Sequence, residues 1–280
     1  MKVLKYSVAV LTLMMLGLCA YVGWGMWKTK GEVTALQKRV MNAAEPATVS
    51  SGQMAGLPAP VQRYFAYTLP GDSGALPSYA VIKAEGEFRR PKMENFEPTS
   101  ATQIISTRKP DLVFSASTPI LGPLWADVYD AYIDGEMEMR ASLLSAFDVI
   151  HFSGDETLNR ISLRRWLLEA SSWPPALLPG GPVNWQEIDD TSARAVVRAH
   201  GIEESLVALF DRTGALTGMF LEADGDLTTP YHGSGEHVLR GDYKAFDGIR
   251  IPTSFTISRA SGGKRYPFWK AKVTSVEFGS

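Results

Sequence analysis

The spacing of hydrophobic positions changes along this chain, and each change marks an element. From Ser7 to Trp27 they are continuous: "SVAVLTLMMLGLCAYVGWGMW" carries no charge. At 1.5 Å per residue, about 21 residues make about 31 Å of helix, enough to cross a bilayer core. Between Leu57 and Leu69 the spacing is helical, with Val61, Tyr64, Phe65 and Thr68 on one face before Pro70-Gly71. From Tyr79 the period falls to two. In "YAVIKAEGEF", Tyr79, Val81 and Lys83 face one way and Ala80, Ile82 and Ala84 the other. Similar short runs continue to the C terminus, punctuated by Asp134-Gly135, Asp224-Gly225 and Asp247-Gly248. Strands closely joined by such turns predict an antiparallel meander rather than parallel crossovers.

One helix interrupts the strands. Ser153-Gly154-Asp155-Glu156 has the form of a capping box, and the pattern runs helical to about Ala170. Leu158, Ile161 and Leu168 form one apolar stripe; Leu163, Trp166 and Leu167 form another. Arg165 with Glu169, and Arg160 with Arg164, separate the stripes. Two stripes predict a helix covered from two directions. Pro174, Pro175, Pro179 and Pro182 then stop the helix and turn the chain back, carrying Trp173, Leu177, Leu178 and Trp185 across it. This unit either completes the core or acts as a lid over a concave sheet that holds an apolar ligand.

The ends of the N-terminal run support an uncleaved anchor over a signal peptide. Signal peptides have shorter apolar cores and a small-x-small cleavage site, which is poorly matched here by Gly23-Trp24-Gly25. Tyr21, Trp24 and Trp27 cluster at one end, as aromatic residues do at the headgroup level. Lys2 and Lys5 precede the run, so the commoner arrangement keeps the N terminus inside and the domain outside the cytoplasm. Glu32 to Ala44 extends the helix beyond the bilayer, and "EPATVSSGQMAG" reads as a linker. The expected division is a transmembrane anchor at 7–27, a juxtamembrane segment and linker at 28–56, and one globular domain at 57–280.

Composition narrows the function by exclusion. A net charge of −2 supplies no basic excess for nucleic acid. Cys19 is the single cysteine, which rules out an internal disulfide and a cysteine zinc site. His232, Glu236, His237 and Asp242 bring metal-ligand types together, but His232 and His237 are five apart across a glycine-rich turn, unlike a helical zinc pair. Asp127, Asp130, Asp134, Glu136 and Glu138 suit acid–base chemistry in type, yet alternate as a half-solvated strand does. No nucleophile elbow, phosphate loop or calcium loop is present. No cofactor or metal is expected.

The segments "LPAPVQRYFAYTLP", "RRWLLEASSWPPALLPGGPVNWQEIDDTSARA", "DGIRIPTSF" and "YPFWKAKVTSVEF" resemble an uncharacterised bacterial membrane-anchored family from about Leu57 to Phe278. More distantly, the long antiparallel sheet, the crossing helix and the late "DYKAFDGIRIP" hairpin look like the lipoprotein-carrier (LolA/LolB/RseB-like) fold. That likeness implies an incomplete barrel around helices, with a cavity for acyl chains. An uncleaved anchor departs from it, because a shuttling carrier must leave its membrane.

The expected fold is therefore α+β: a mainly antiparallel curved sheet or incomplete barrel, a central helix packed on it, and one preceding transmembrane helix. The expected protein is non-catalytic and single-pass in a bacterial inner membrane. Its partners are the lipid bilayer, through 7–27, and a hydrophobic or lipid-like ligand lined by Trp166, Leu167, Trp173, Leu177, Leu178 and Trp185. The rival readings are a hydrolase-type enzyme using Asp127, Asp130 or the His232/Glu236/His237 group, and a structural or partner-binding domain with a filled core.

Overall fold

The apolar run forms the first part of one unbroken helix, α1 (Lys2–Ala43), of 42 residues. At 1.5 Å per residue it is about 63 Å long, so roughly half projects beyond any bilayer. The structure, a computed structural model, describes residues 2–48, 51–71, 74–91, 93–228 and 235–280. Two short helices follow, α2 (Ser51–Ala55) and α3 (Ala59–Thr68), the latter burying the expected Val61, Tyr64, Phe65 and Thr68. The segment read as a linker is tied down: Ala47 is buried, and its carbonyl accepts a hydrogen bond from the Leu76 amide at 2.8 Å.

The first strands are β1 (Tyr79–Phe88), β2 (Glu97–Ser106), β3 (Leu112–Leu121), β4 (Leu124–Ile133), β5 (Glu136–Leu143) and β6 (Phe147–Ser153). Helix α4 (Glu156–Ala170) and a 3-10 turn (Pro174–Leu177) come next. The chain then forms β7 (Val183–Asp189), β8 (Ser192–Ala199), β9 (Ile202–Phe210), β10 (Leu216–Phe220), β11 (His237–Phe246), β12 (Ile249–Ser261) and β13 (Lys264–Gly279). Among the described residues these make one antiparallel sheet of 13 strands, ordered β6-β5-β4-β3-β2-β1-β13-β12-β11-β10-β9-β8-β7. The first and last strands pair at the centre, and β6 and β7 are the two edges. Helix α4 is therefore the crossover that carries the chain from one edge to the other.

Two of the three expected Asp-Gly turns form, whereas Asp224-Gly225 lies in irregular chain without a turn. Asp134-Gly135 and Asp247-Gly248 have positive φ at both residues, as two-residue hairpin turns require, and so do His200-Gly201. The sheet curls until the β4–β5 turn meets the β8–β9 turn: a Cβ on Gly135 would fall 2.6 Å from the His200 ring. It remains unclosed, with α4 lying inside the curve.

Four contacts hold α4 there, and they explain why its charges divide the stripes. Arg165 donates to Asp130 on β4, and Glu169 accepts from Arg240 on β11 at 3.1 Å. Both pairs are buried, with side chains 4%/3% and 1%/7% exposed. Each guanidinium also lies over a ring, Arg165 over Phe114 at 5.1 Å and Arg240 over Phe255 at 5.2 Å. At the other end, Arg160 pairs with Glu204 on β9 at 2.8 Å, and Asn159 Oδ1 accepts from the Met137 amide at 2.9 Å. The expected cap is corrected by two residues. Ser153 is the last residue of β6, and Asp155 caps α4, accepting from the Leu158 amide at 2.8 Å. The half-solvated reading of Asp130 is corrected too, since it is a buried partner of the helix.

Losing one partner of a buried pair leaves the other charge uncompensated, which costs about 3–5 kcal/mol, whereas exposed pairs contribute about 0–1 kcal/mol. Asp130→Ala should therefore lower unfolding stability several times more than Arg198→Ala, which breaks the exposed pair with Glu203. Urea unfolding of the full chain in detergent checks this; equal midpoints would show that the buried pair does not hold α4.

Candidate functional site

The residues expected to line a ligand cavity lie inside the core. Trp166, Leu167, Trp173 and Leu177 have no exposed surface, and Leu178 is 2% exposed. Trp173 packs on Phe278, ring centroids 4.9 Å apart, and its indole N–H donates to Thr107 Oγ1 at 2.9 Å. Trp185 is half-buried and donates to the Leu177 carbonyl at 3.0 Å, closing the proline-rich return against the sheet. The space near α4, beside Gln103, Glu169, Ser172 and Arg240, is about 20 Å³. That is room for about one water, whereas a ligand pocket takes about 300–1,000 Å³.

A much larger space lies on the opposite, outer face of the sheet. A groove of about 640 Å³ runs between α1, from Met26 to Gln37, and β1 to β5. Its origin can be read from side-chain size. Near the C-terminal end of α1, Val40 and Leu36 pack on Ile104, Val113, Ala131 and Ile133. Towards the N-terminal end the same face carries Ser100, Thr102, Ser115 and Ser117 on β2 and β3, and Ser142 on β5. These hydroxyl side chains are too short to reach the helix, so α1 bridges over them.

The helix is pinned on both sides of that gap. At one end Arg39 pairs with Asp134 at 2.6 Å. At the other, Gly25 sits against the β5–β6 turn so closely that a Cβ would fall 2.5 Å from that of Ala146. Thr29 Oγ1 donates to the Ser145 carbonyl at 2.9 Å. This turn holds Leu144 and Ser145 at positive φ, a conformation disfavoured for both residue types. Asp127 supports it: the carboxylate accepts from Ser145 Oγ and, at 3.1 Å, from the Trp125 indole N–H. Along the groove wall, Tyr129 donates to Glu138 at 2.6 Å and accepts from Arg140 at 2.7 Å, while Arg140 reaches Glu32 of α1 at 2.9 Å. Burial, reinforced by the bond to Glu138, pushes the Tyr129 phenol well above its ordinary value, so it stays protonated.

Walls and floor differ in character. Met26, Trp27 and Val33 give an apolar wall, and Trp27 is 75% exposed. The floor offers hydroxyls, with Lys83 and Glu85 at its far side. Such a groove suits an amphiphile, with its apolar part along the helix and its polar part over the Ser/Thr floor. Alternation alone predicted strands here. The available signal for the groove was the change from small hydroxyl to branched apolar residues on one face, at Ser100-Thr102-Ile104 and Ser117-Ser115-Val113.

The other candidates for chemistry are held in structural pairs. His232 lies outside the described residues. Glu236 is buried, paired with Arg259 at 3.1 Å and accepting from the Ala260 amide at 2.9 Å. His237 is buried beside Phe220, and burial, helped by nearby Arg265, lowers it to about 4. Among the described residues, no three His, Cys, Asp or Glu side chains gather as a metal would need.

This is a domain built as an open antiparallel sheet wrapped round one helix, with a long N-terminal helix across its outer face. Residues 55–278 match a family of unknown function, DUF6920, and the chain belongs to that family. No curated protein matches the chain.

The buried imidazole sets a pH dependence. The folded state takes its proton near pH 4 and the unfolded state near 6.5, so in between the unfolded chain binds more protons. Stability from this site is complete above about pH 6.5 and is lost as pH falls towards 4. His237→Leu should lose less stability than the parent between pH 7.5 and 4.5 in urea titrations; parallel losses would place the imidazole in contact with water.

Proposed function

We propose that this protein is a membrane-anchored, non-catalytic binding domain that takes a lipid-like amphiphile into the groove between α1 and the outer face of the sheet. Helix α1 is long and apolar enough to cross a membrane. On our reading its first half is the span, in a bacterial inner membrane, with the domain on the non-cytoplasmic side. The observation that carries the proposal is where the groove begins: its first lining residues, Met26 and Trp27, directly end the uncharged run. A molecule leaving the bilayer along the helix meets the groove without crossing bulk water. The 640 Å³ volume is in the range for small-molecule sites.

The site differs from the one the sequence suggests. Trp166, Leu167, Trp173, Leu177, Leu178 and Trp185 act as the rigid core that fixes the sheet's curvature, and the ligand lies on the other side of the strands. The likeness to lipoprotein carriers supports a lipid-like ligand, although here the space is external to the curve.

Native mass spectrometry of the full chain released from detergent tests this. The parent should retain lipid, and Ser115→Phe, which fills the floor, should retain at least about tenfold less, the effect of losing roughly 1.4 kcal/mol. Thermal unfolding should be unchanged, since Ser115 faces the gap. Lipid-free parent protein, or equal retention by the variant, would refute the groove as the site.

A further inference from the structure

Exposed apolar side chains occur singly on β7, β9 and β11, at Ile188, Leu209 and Leu239, but at one end of the sheet several lie together. Leu121 is 75% exposed and Leu124 36% at the β3–β4 tip; Phe147 is 40% exposed at the start of β6. The tip and its flanks, "TPILGPLWA" from Thr118 to Ala126, carry no charge, and neither does "LLSAF" from Leu143 to Phe147. Contiguous exposed apolar residues on a folded domain mark a contact surface.

Contacts with α1 set the level of this surface. Tyr21 and Phe147 have ring centroids 5.3 Å apart, and the Tyr21 hydroxyl donates to the Ala146 carbonyl at 3.4 Å. Ala146 also lies against Gly25. The β5–β6 turn is thus level with Tyr21 to Gly25, inside the run that has no charge until Lys28. The Leu144 amide donates to the Trp125 carbonyl at 2.9 Å, which places Trp125 at the same height. From there β4 rises beside α1 until Asp134 pairs with Arg39. Residues before Trp125 consequently point the other way, towards the N terminus of α1. At about 3.3 Å per residue, the Leu121-Gly122 end of the tip lies roughly 7–10 Å below the turn.

Resting on the reading of α1 as the membrane span, we propose that the β3–β4 tip inserts into the same bilayer leaflet that α1 leaves, with the β5–β6 turn at the interface. The occupant of this apolar surface is the bilayer itself, because the surface is continuous with the helix that crosses it. Trp24, Trp27 and Trp125 lie at the level where aromatic rings favour the headgroup region. The limit of insertion is set by Asp148, next after Phe147, whose carboxylate accepts from Ser142 Oγ at 2.6 Å and stands 3.8 Å from Arg140. The domain then has two footings, one helical and one hairpin, and the groove between them opens at the lipid surface in a fixed orientation.

The test uses the full chain with Cys19→Ser and one added cysteine carrying an environment-sensitive fluorophore, reconstituted in phosphatidylcholine vesicles with acyl-brominated lipid. Labels at Met14→Cys, mid-span, and Leu121→Cys, at the tip, should both be quenched by the bromine atoms. The tip label should lose on the order of half its emission, as expected at the hydrocarbon boundary. A label at Glu136→Cys, beside the distant β4–β5 turn, should be unaffected. Quenching at Met14 without quenching at Leu121 overturns the insertion and leaves the anchor standing. Absence of quenching at Met14 instead removes the anchor, and the insertion with it. A Leu121 label shielded from aqueous iodide yet untouched by bromolipid also overturns the proposal, since protein would then cover the tip.

Discussion

Everything in this fold depends on holding one charged helix inside a curved sheet. Two of the side chains that fix α4, Arg165 and Glu169, are one helical turn apart and reach opposite halves of the sheet. Arg165 takes its carboxylate from β4, and Glu169 takes its guanidinium from β11. Buried ion pairs add little net stability compared with well-packed apolar residues, but they penalise any arrangement that separates them. Here the penalty acts on register. Sliding α4 by one residue would place two charges in an apolar interior without partners. The pairs therefore select one curvature for a sheet whose edges, β6 and β7, are not paired with each other among the described residues.

That constraint leaves the open space on the outer face. Once α4 and the proline-rich return fill the inside of the curve, the interior holds about 20 Å³ of space near the helix. The outer face is different because α1 is one unbroken helix, is pinned at Gly25 and Arg39, and crosses strands whose side chains shorten between those points. A rigid strut over a floor of small residues leaves a groove without any need for a concave binding surface. Asp127, which invites an acid–base role, instead braces the turn that supports one end of the strut.

Much of this architecture was legible before folding. The period-two runs, two of the three Asp-Gly turns and the twin stripes of α4 correspond to what forms, because each is a local rule with a strong steric basis. Missing were relations between residues far apart in the chain. Nothing near Asp130 announces Arg165, 35 positions away, so an alternating acidic strand looked half-solvated. Likewise, apolar residues around Trp166 imply burial but do not say whether a guest shares the space; packing density decides that. The groove was hardest to see, since it is defined by small side chains that leave a gap.

Photo-crosslinking tests the central claim most directly. The full chain in membranes would be supplied with a phospholipid bearing a diazirine on its acyl chain, irradiated, and mapped by peptide mass spectrometry. Adducts on the groove-facing residues of α1 from Met26 to Gln37 and on the outer face of β2 to β4 are the predicted result. Adducts on the α4 segment from Trp166 to Leu178, with none along the groove, would place the ligand inside the curve and contradict the account.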